Sequence, residues 1–294
     1  MVCLLFQYSE IMQTQQKYPK LFSFEFYPPK TEAGEESLQA VHKKLSRLNP
    51  DFFSVTFGAG GSTRDKTFDT VVKIQERGVA AAPHLSCVAS THENIREILH
   101  GYRSNGIKKI VALRGDLPSG MMSAGQFRYA NELVDFIRSE TGDYFQIHVA
   151  AYPETHPQAR SAAEDLKNFK RKVDAGANAA ITQYFYNAES YFYFVDACEK
   201  MGIDIPIVPG IMPITNYSQL FRFSDMCGAD IPRWLRKKLE GFGDDREQII
   251  AFGCDVVTRL CQQLLDNGAP GLHFYTMNQS APTLAIWNNL NLSD

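Results

Sequence analysis

Apolar, β-branched and aromatic residues recur along this chain in short runs, and longer segments with the 3.6-residue period of amphipathic helices lie between them. Strands that alternate with helices are typical of a parallel sheet, because each connection must cross back over a face of the sheet. The pattern predicts eight strands, at 21–27, 51–57, 79–88, 108–114, 145–152, 179–186, 205–212 and 271–277.

Residues that commonly start and stop helices mark the helices in the segments between these strands. Thr91 is a good N-terminal cap for one helix and Gly106 a good stop for it, while Gly176 and Gly202 end two later helices. The predicted helices cover about 31–48, 62–78, 91–105, 126–140, 158–175 and 189–201, followed by two pieces at 217–239 and 244–267.

Eight strand–helix units without a linker favour one α/β domain over residues 21–294, a single (β/α)8 TIM barrel with parallel strands. Residues 1–20 are then an N-terminal leader segment. The alternative is an open doubly wound sheet, which carries a glycine fingerprint after an early strand. The nearest candidate, GAGGST at 58–63, lacks the third glycine of that fingerprint at its proper place.

The composition narrows the class of protein. The net charge is −3 without a long run of one sign, so binding to nucleic acid or to a membrane surface has no support. No apolar stretch approaches the roughly 20 residues that span a bilayer. The six cysteines form no CxxC pair and no metal-like spacing with histidine, so we expect reduced thiols, a cytoplasmic location and no metal site.

The first predicted strand holds a single carboxylate within an aromatic run, FSFEFYPP at 22–29. Alternation with a period of two puts the three phenylalanines on one face of the strand and Glu25 on the other. A buried carboxylate is costly unless it is paired or protonated. On an edge strand Glu25 would face water. In a closed barrel, which has no edge, it would point into the barrel near its mouth.

Barrel enzymes carry their chemistry at the C-terminal ends of the strands. Polar side chains stand at seven of the eight predicted ends, and the loops that begin there explain part of this pattern. Loops explain Glu25, Thr56 and Gln183 poorly, because more apolar or aromatic residues follow each of them. The candidates at the strand ends are Glu25, Thr56, His84, Arg114, Gly115, Asp116, Tyr152, Glu154, His156, Gln183, Tyr275 and Asn278.

The helix after the fifth strand has four polar residues on one face, Asp165, Asn168, Arg171 and Lys172. One interpretation is an ordinary solvated face. The other is a grip on a dinucleotide, in which the carboxylate accepts hydrogen bonds from ribose hydroxyls and the two cations neutralise a pyrophosphate. The pattern alone leaves both open.

Short motifs occur in a fixed order over about residues 21–280. They are FEFYPPK (24–30), PHL (83–85), ALRGDLP (112–118), AAYPE (150–154), KRKVDAGA (170–177), ITQ (181–183), PGI (209–211) and HFYTMN (273–278). Together they resemble the methylenetetrahydrofolate reductase family in its short, bacterial, FAD-dependent form. The resemblance implies a flavin barrel that reduces 5,10-methylenetetrahydrofolate to 5-methyltetrahydrofolate with NADH. It also implies ping-pong kinetics, a role in methionine biosynthesis and self-association as a homo-oligomer.

The resemblance also implies roles for individual residues. Glu25 matches the general acid of the family, which requires a raised pKa, and Asp116 would stabilise the cationic form of the substrate. Thr56 and Gln183 would bind the nicotinamide. The implied folate contacts are Asp116, Gln183, Gln219 and Phe223. The implied FAD contacts are Phe57, Ala59, His84, Arg114, Gly115, Asp116, Tyr129, Ala130, Tyr152, His156, Asp165, Asn168, Arg171 and Lys172.

One position departs from the family pattern. The motif after the last strand usually continues with arginine, which reaches the folate, whereas this chain has Gln279. A neutral amide has neither the charge nor the fork geometry of a guanidinium. Two other classes of protein stay open: another FAD-dependent barrel oxidoreductase, such as a proline dehydrogenase-like enzyme, and a flavin-free folate-binding methyltransferase barrel.

Overall fold

A computed structural model describes residues 12–57, 64–115 and 125–292, apart from the side chain of Gln13. Parallel strands make up one sheet, and neighbouring strands are hydrogen-bonded in the order β7-β6-β5-β4-β3-β2-β1-β9-β8. The strands are β1 (Leu21–Phe26), β2 (Phe52–Val55), β3 (Ala81–Ser86), β4 (Lys109–Leu113), β5 (Gln146–Ala151), β6 (Ala179–Thr182), β7 (Ile207–Val208), β8 (Gly210–Ile211) and β9 (Gly271–Tyr275).

The sheet closes into a barrel at Pro209. This residue separates β7, which pairs with β6, from β8, which pairs with β9. Proline has no N–H for a sheet ladder, but its carbonyl accepts the backbone N–H of His273 at 3.0 Å. The predicted strand 205–212 is therefore one strand position split in two, and the eight-position parallel barrel is confirmed. β1 pairs with both β2 and β9, so neither an open sheet nor a free edge at β1 is present.

Helices alternate with the strands as predicted, and most begin at a capping side chain; the Thr91 side chain, for example, accepts the N–H of Asn94. No helix among the described residues is long and apolar enough to cross a membrane. The helices are α1 (Gln13–Gln16), α2 (Glu32–Leu45), α3 (Arg64–Glu76), α4 (His92–Ser104), α5 (Ala130–Thr141), α6 (Ala162–Asp174), α7 (Ala188–Lys200), α8 (Tyr217–Cys227), α9 (Arg233–Gly241), α10 (Arg246–Asp266) and α11 (Ala281–Asn289).

The predicted helix 217–239 was wrong as a single piece. α8 stops at Gly228, whose φ of 74° is left-handed, and Pro232 stands at the start of α9. A side chain at position 228 would also collide with Pro157, because an added Cβ would lie 2.7 Å from its Cγ. Neither α1 nor α11 was predicted.

The core has two parts, one on each face of the sheet. On the outer face, the Phe24 ring lies 5.8 Å from that of Phe53 and 6.0 Å from that of Trp287 in α11. Burying one such ring stabilises the fold by about 1.5–3 kcal/mol. The inner face forms a smaller cluster of Phe52, Ala82, Val111 and Ile181. The phenylalanines of β1 thus face the helices, which leaves the other face of β1 for the barrel interior.

The described end of the predicted leader, residues 12–20, packs against the barrel. Met12 is fully buried. The side-chain amide of Gln15 donates to the carbonyl of Ile205 at 3.2 Å and accepts from the N–H of Ile207 at 2.8 Å. This amide therefore satisfies backbone groups at the start of β7 that have no strand partner there. The domain boundary at residue 20 stays a prediction.

Candidate active site

Glu25 points into the barrel at the C-terminal end of β1. The register pairs it with Ser54 on β2 and with Tyr275 on β9. Its side chain is 18% exposed, and one carboxylate oxygen, Oε2, lies 3.3 Å from Nε2 of His84 and 3.8 Å from Nε2 of His273. A carboxylate flanked by two imidazoles is a group of residues that can hold and exchange protons.

Ser23 orients one of these imidazoles. Its hydroxyl lies 2.7 Å from Nδ1 of His273, and both residues are fully buried. The direction of this hydrogen bond depends on the tautomer of the ring, and Nε2 of His273, 3.8 Å from Oε2 of Glu25, has no hydrogen-bond partner among the described residues. Ser23 therefore holds the His273 ring in place beside Glu25. The signal in the sequence was the period of two, which puts Ser23 on the same face as Glu25.

The expectation of a raised pKa for Glu25 is wrong. Burial raises the pKa of this carboxyl, but the polar contacts and charge of His273 and His84 outweigh burial and bring it to about 2. Burial also lowers the pKa of His273, although Glu25 acts in the opposite direction. Glu25 is therefore ionised before a ligand binds, and an acid form requires a change in its surroundings.

A cavity of about 360 Å³ opens above this carboxylate. Its walls are largely apolar or aromatic, and the titratable groups converge at its floor, as in many sites for small organic ligands. The lining residues are Glu25, His84, Val111, Leu113, Ala150, Tyr152, Ile181, Gln183, Tyr184, Met212, Phe223, Met226, Cys227, His273, Tyr275 and Met277. We call this cavity the Glu25 pocket.

A second cavity, of about 290 Å³, adjoins the Glu25 pocket and shares Leu113, Ala150 and Tyr152 with it. We call it the α6 cleft. In contrast to the pocket, it has charged walls. Its other lining residues are Ala112, Arg114, Gly115, Tyr129, Ala130, Asn131, His156, Gln158, Ala159, Asp165, Asn168 and Lys172.

Lys172 is the half-buried cation of the α6 cleft. Its Nζ donates to the carbonyl of Ala150 at 2.5 Å. Burial lowers the pKa of this amine to about 8, and Asp165 opposes the shift only in part. Asp165 itself accepts the backbone N–H of His156 at 2.8 Å, which ties α6 to the loop after β5. The cleft therefore holds a positive charge that the protein compensates incompletely.

Gly115 and Arg114 form the β4 side of the cleft. Gly115 has a φ of 83°, and an added Cβ would lie 1.9 Å from Oγ of Ser86, so only glycine fits there. The Arg114 guanidinium donates to the backbone carbonyl of Gly115 at 3.1 Å and to the side chain of Gln158 at 2.5 Å. Backbone and guanidinium are thus held at the cleft wall, where a ligand can approach them closely.

Glu154 joins the loop after β5 to the connection between α8 and α9. Its carboxylate accepts the N–H of Asp230 at 2.8 Å and the hydroxyl of Ser190 at 3.3 Å. Burial raises the pKa of Glu154 above its ordinary value. This contact fixes the position of α8, which carries one wall of the Glu25 pocket.

Not every predicted site residue lines a cavity. Thr56 and Phe57 are half-buried at the end of β2, and the Arg171 guanidinium donates to Asn168 at 2.6 Å on the exposed side of α6. Gln219 is half-buried on α8, and Gln279 is exposed after β9. Asp116 and Ala59 lie outside the described residues.

Other residues of the site were missed by sequence reasoning. Ser23 and His273 are 250 positions apart and meet only because β1 pairs with β9. Gln158 and Asn131 stand in loops or at a helix start, where no periodicity marks them. Among the described residues, no group of three or more His, Cys, Asp or Glu is arranged to hold a metal ion.

The fold and this site define a parallel (β/α)8 barrel with a carboxylate–imidazole cluster and a cation-bearing cleft at the C-terminal ends of its strands. The methylenetetrahydrofolate reductase family model matches residues 10–291. The chain therefore belongs to the methylenetetrahydrofolate reductase family, and it is an oxidoreductase.

Relatives in bacteria and plants agree with this assignment. The 5,10-methylenetetrahydrofolate reductase of Escherichia coli K12 is 45% identical over 271 residues, which cover 92% of this chain and 90% of the relative. The enzyme of Buchnera aphidicola from Acyrthosiphon pisum is 44% identical over 92% of this chain and 91% of its own. Methylenetetrahydrofolate reductase (NADH) 1 of Arabidopsis thaliana is 42% identical over 93% of this chain but only 48% of its own.

Solved structures share the fold. An uncharacterised Clostridium thermocellum protein, described as binding two copies of 5-methyl-5,6,7,8-tetrahydrofolic acid, superposes with a TM-score of 0.67 over 95% of both chains. Its sequence is 17% identical, so this likeness concerns the fold alone. An oxaloacetate acetylhydrolase superposes with a TM-score of 0.53 at 10% identity, covering 94% of this chain and 81% of its own.

Proposed function

We propose that this chain reduces 5,10-methylenetetrahydrofolate to 5-methyltetrahydrofolate with electrons from NADH and with FAD as its prosthetic group, by a ping-pong mechanism that supplies methyl groups for methionine biosynthesis. The proposal rests on one observation. A carboxylate that lies beside two imidazoles forms the floor of an apolar pocket, and this pocket adjoins a cleft that holds a half-buried cation.

The residues of the α6 cleft fit FAD. Lys172 offers a cation to a pyrophosphate, with Arg171 one residue away on the same helix. Asp165 and Asn168 offer an acceptor and an amide to hydroxyl groups, and Gly115 allows close approach to the backbone. Tyr129, Ala130, Tyr152 and His156 supply the remaining walls. When bound, a flavin supplies hydride transfer between NADH and the substrate.

Glu25 acts as general acid in the folate step. The five-membered ring of the substrate must open to an iminium cation before it accepts hydride, and opening requires a proton on the departing nitrogen. A bound substrate excludes water from the cluster, and burial already acts to raise the pKa of Glu25. His84 and His273 are the adjacent groups through which the carboxyl exchanges its proton.

One pocket serves both substrates in turn. Gln183 lines the Glu25 pocket and is the shared contact for nicotinamide and folate, with Thr56 at the end of β2, the strand beside that of Glu25. Phe223 lines the opposite wall for the folate, and Gln219 precedes it by one helical turn. The Arabidopsis relative is named as an NADH enzyme, which favours NADH as the electron donor.

The test is an anaerobic absorption experiment on the FAD-loaded protein. NADH is expected to bleach the flavin band, and 5,10-methylenetetrahydrofolate is expected to restore it with formation of 5-methyltetrahydrofolate. A flavin that NADH reduces but the folate does not reoxidise would favour another flavin oxidoreductase, such as a proline dehydrogenase-like enzyme. A protein that binds methyltetrahydrofolate but no FAD would favour the methyltransferase class. Either outcome contradicts the proposal.

A further inference from the structure

The Glu25 pocket contains no lysine or arginine among its described lining residues. The folate substrate of the proposed function ends in a glutamate, whose two carboxylates are ionised at neutral pH. A ligand held only by the apolar walls and the Glu25 cluster would therefore leave its anionic end without a cationic partner. Recognition of that end has to come from the rim of the pocket.

Gln279 stands on one side of this rim. It is exposed two residues after the pocket residue Met277, and its backbone N–H donates to the carbonyl of Thr276 at 2.9 Å. The amide can donate a neutral hydrogen bond, but it cannot attract a carboxylate by charge.

Arg222 stands on the other side, on α8. It immediately precedes Phe223 and lies four positions before Met226, and both of these residues line the pocket. Positions 219, 222, 223 and 226 share one helix face, because three- and four-residue spacings bring side chains together. The long side chain of Arg222 is thus placed at the edge of the face that forms the pocket wall.

The guanidinium of Arg222 lies against that wall. Its central carbon is 5.5 Å from the centroid of the Phe223 ring, within the range of a cation–π contact. Arg222 is exposed, and it forms no ion pair with any carboxylate in the described part of the chain. Its charge is therefore available to a ligand, and its planar fork matches the geometry of a carboxylate.

Arg236 provides an internal comparison. Its guanidinium carbon lies 5.2 Å from the Phe221 ring, so it is also an arginine stacked on an aromatic residue of α8. Phe221 is two positions from both Gln219 and Phe223, which places it on the opposite side of the helix. Arg236 adds the same charge to the same region without facing the pocket.

We infer that Arg222 binds the anionic glutamate end of the folate substrate and takes the place of a cation at position 279. The inference rests on the proposed function and assigns a specificity-determining contact within it. Arg222 is a rim residue that contributes to binding and takes no part in proton or hydride transfer.

The test compares Arg222→Ala with Arg236→Ala in the reoxidation step, using NADH-reduced, FAD-loaded protein and two substrates. One substrate is 5,10-methylenetetrahydrofolate, and the other is its dimethyl ester, in which both tail carboxylates are neutral. For Arg222→Ala we expect an apparent Kd for the free acid that is about 3- to 10-fold weaker, as for an exposed charge pair of good geometry. The limiting rate, the Kd for the ester and the NADH step should stay within a factor of two.

Two results would support the inference, and two would overturn it. Arg236→Ala should leave both substrates unchanged, and Gln279→Arg added to Arg222→Ala should restore part of the affinity for the free acid. Equal weakening of acid and ester by Arg222→Ala, or equal effects of the two arginine variants, would overturn it. A wild-type protein that no folate reoxidises would instead refute the proposed function itself, so the two failures are distinguishable.

Discussion

The two cavities at the mouth of the barrel differ in how far the protein compensates the charge that each one contains. In the Glu25 pocket the carboxylate is matched by two imidazoles, and these bring its pKa to about 2 in spite of burial. In the α6 cleft the pKa of Lys172 falls to about 8, because burial acts on a cation that Asp165 compensates only in part. The pocket is electrostatically complete without a ligand, whereas the cleft is not.

This difference indicates which function each cavity suits. A charge that the protein satisfies internally can hold and exchange a proton during each turnover, because its partners stay in place. A buried cation without a full partner is stabilised by an anion that remains bound, such as the pyrophosphate of FAD. The Glu25 pocket therefore suits the chemical step of the proposed function, and the α6 cleft suits binding of FAD. A variant in one cavity should affect only the task of that cavity.

The largest effect is expected for Glu25→Gln. Glutamine keeps the size of the side chain but cannot supply a proton, so reoxidation of the reduced flavin by the folate should slow by roughly 10²–10⁴-fold, the usual worth of a general acid. Reduction by NADH needs no proton from Glu25 and should change by less than a factor of three, as measured by stopped-flow absorbance. Similar losses in both half-reactions would refute the assignment of Glu25 as the acid.

Lys172→Met tests the cleft. Removing the cation should weaken FAD binding by roughly 10- to 100-fold, since hydrogen bonds to charged groups are worth about 1.5–3 kcal/mol. Lys170→Met is the control, because Lys170 lies on the same helix but pairs with Asp174 at 2.8 Å on its exposed side. Titration of apoprotein with FAD, followed by flavin fluorescence, measures both.

The same cleft predicts a pH dependence. The pKa of Lys172 in the folded protein is about 8, below its ordinary value of 10.5, so the cation is present below pH 8 and is lost as the pH rises through that value. FAD affinity should fall over this range in the wild-type protein and stay flat in Lys172→Met. A wild-type affinity that does not change between pH 7 and pH 9.5 would contradict a role for this cation in binding FAD.

A smaller effect is expected for Ser23→Ala. Loss of the hydroxyl removes the hydrogen bond that holds the His273 ring, and folate reoxidation should slow by roughly 3- to 10-fold, as for one neutral hydrogen bond. The pH profile of that step should shift, while the NADH step stays unchanged.

Ser54→Ala is the matched control for this variant. Ser54 is equally buried, stands opposite Glu25 in the register of β1 and β2, and its hydroxyl has no hydrogen-bond partner among the described residues. Equal effects of the two serine variants would show that packing, not the hydrogen bond to His273, matters.

The fold could be predicted because it depends on local patterns in the sequence. Alternation in FSFEFYPP correctly placed the phenylalanines of β1 against the helices and Glu25 inside the barrel, because the period of a strand is a local property. The break between α8 and α9 was missed, although Gly228 and Pro232 marked it, since the apolar period continues across them.

The electrostatics of the site could not be predicted in the same way. The direction of the Glu25 pKa depends on His84 and His273, which lie 59 and 248 positions away in the chain and are adjacent only in the folded barrel. The general-acid role led us to expect a raised pKa, but the two histidines bring the pKa of Glu25 to about 2. The side chains that share the interior with Glu25 decide its charge.

The central claim is that the Glu25 pocket serves NADH and the folate one after the other. Initial rates measured over a grid of both substrate concentrations test it most directly. The account predicts parallel lines in double-reciprocal plots, with each substrate at high concentration inhibiting competitively against the other. Lines that intersect, which require both substrates to be bound at once, would contradict it.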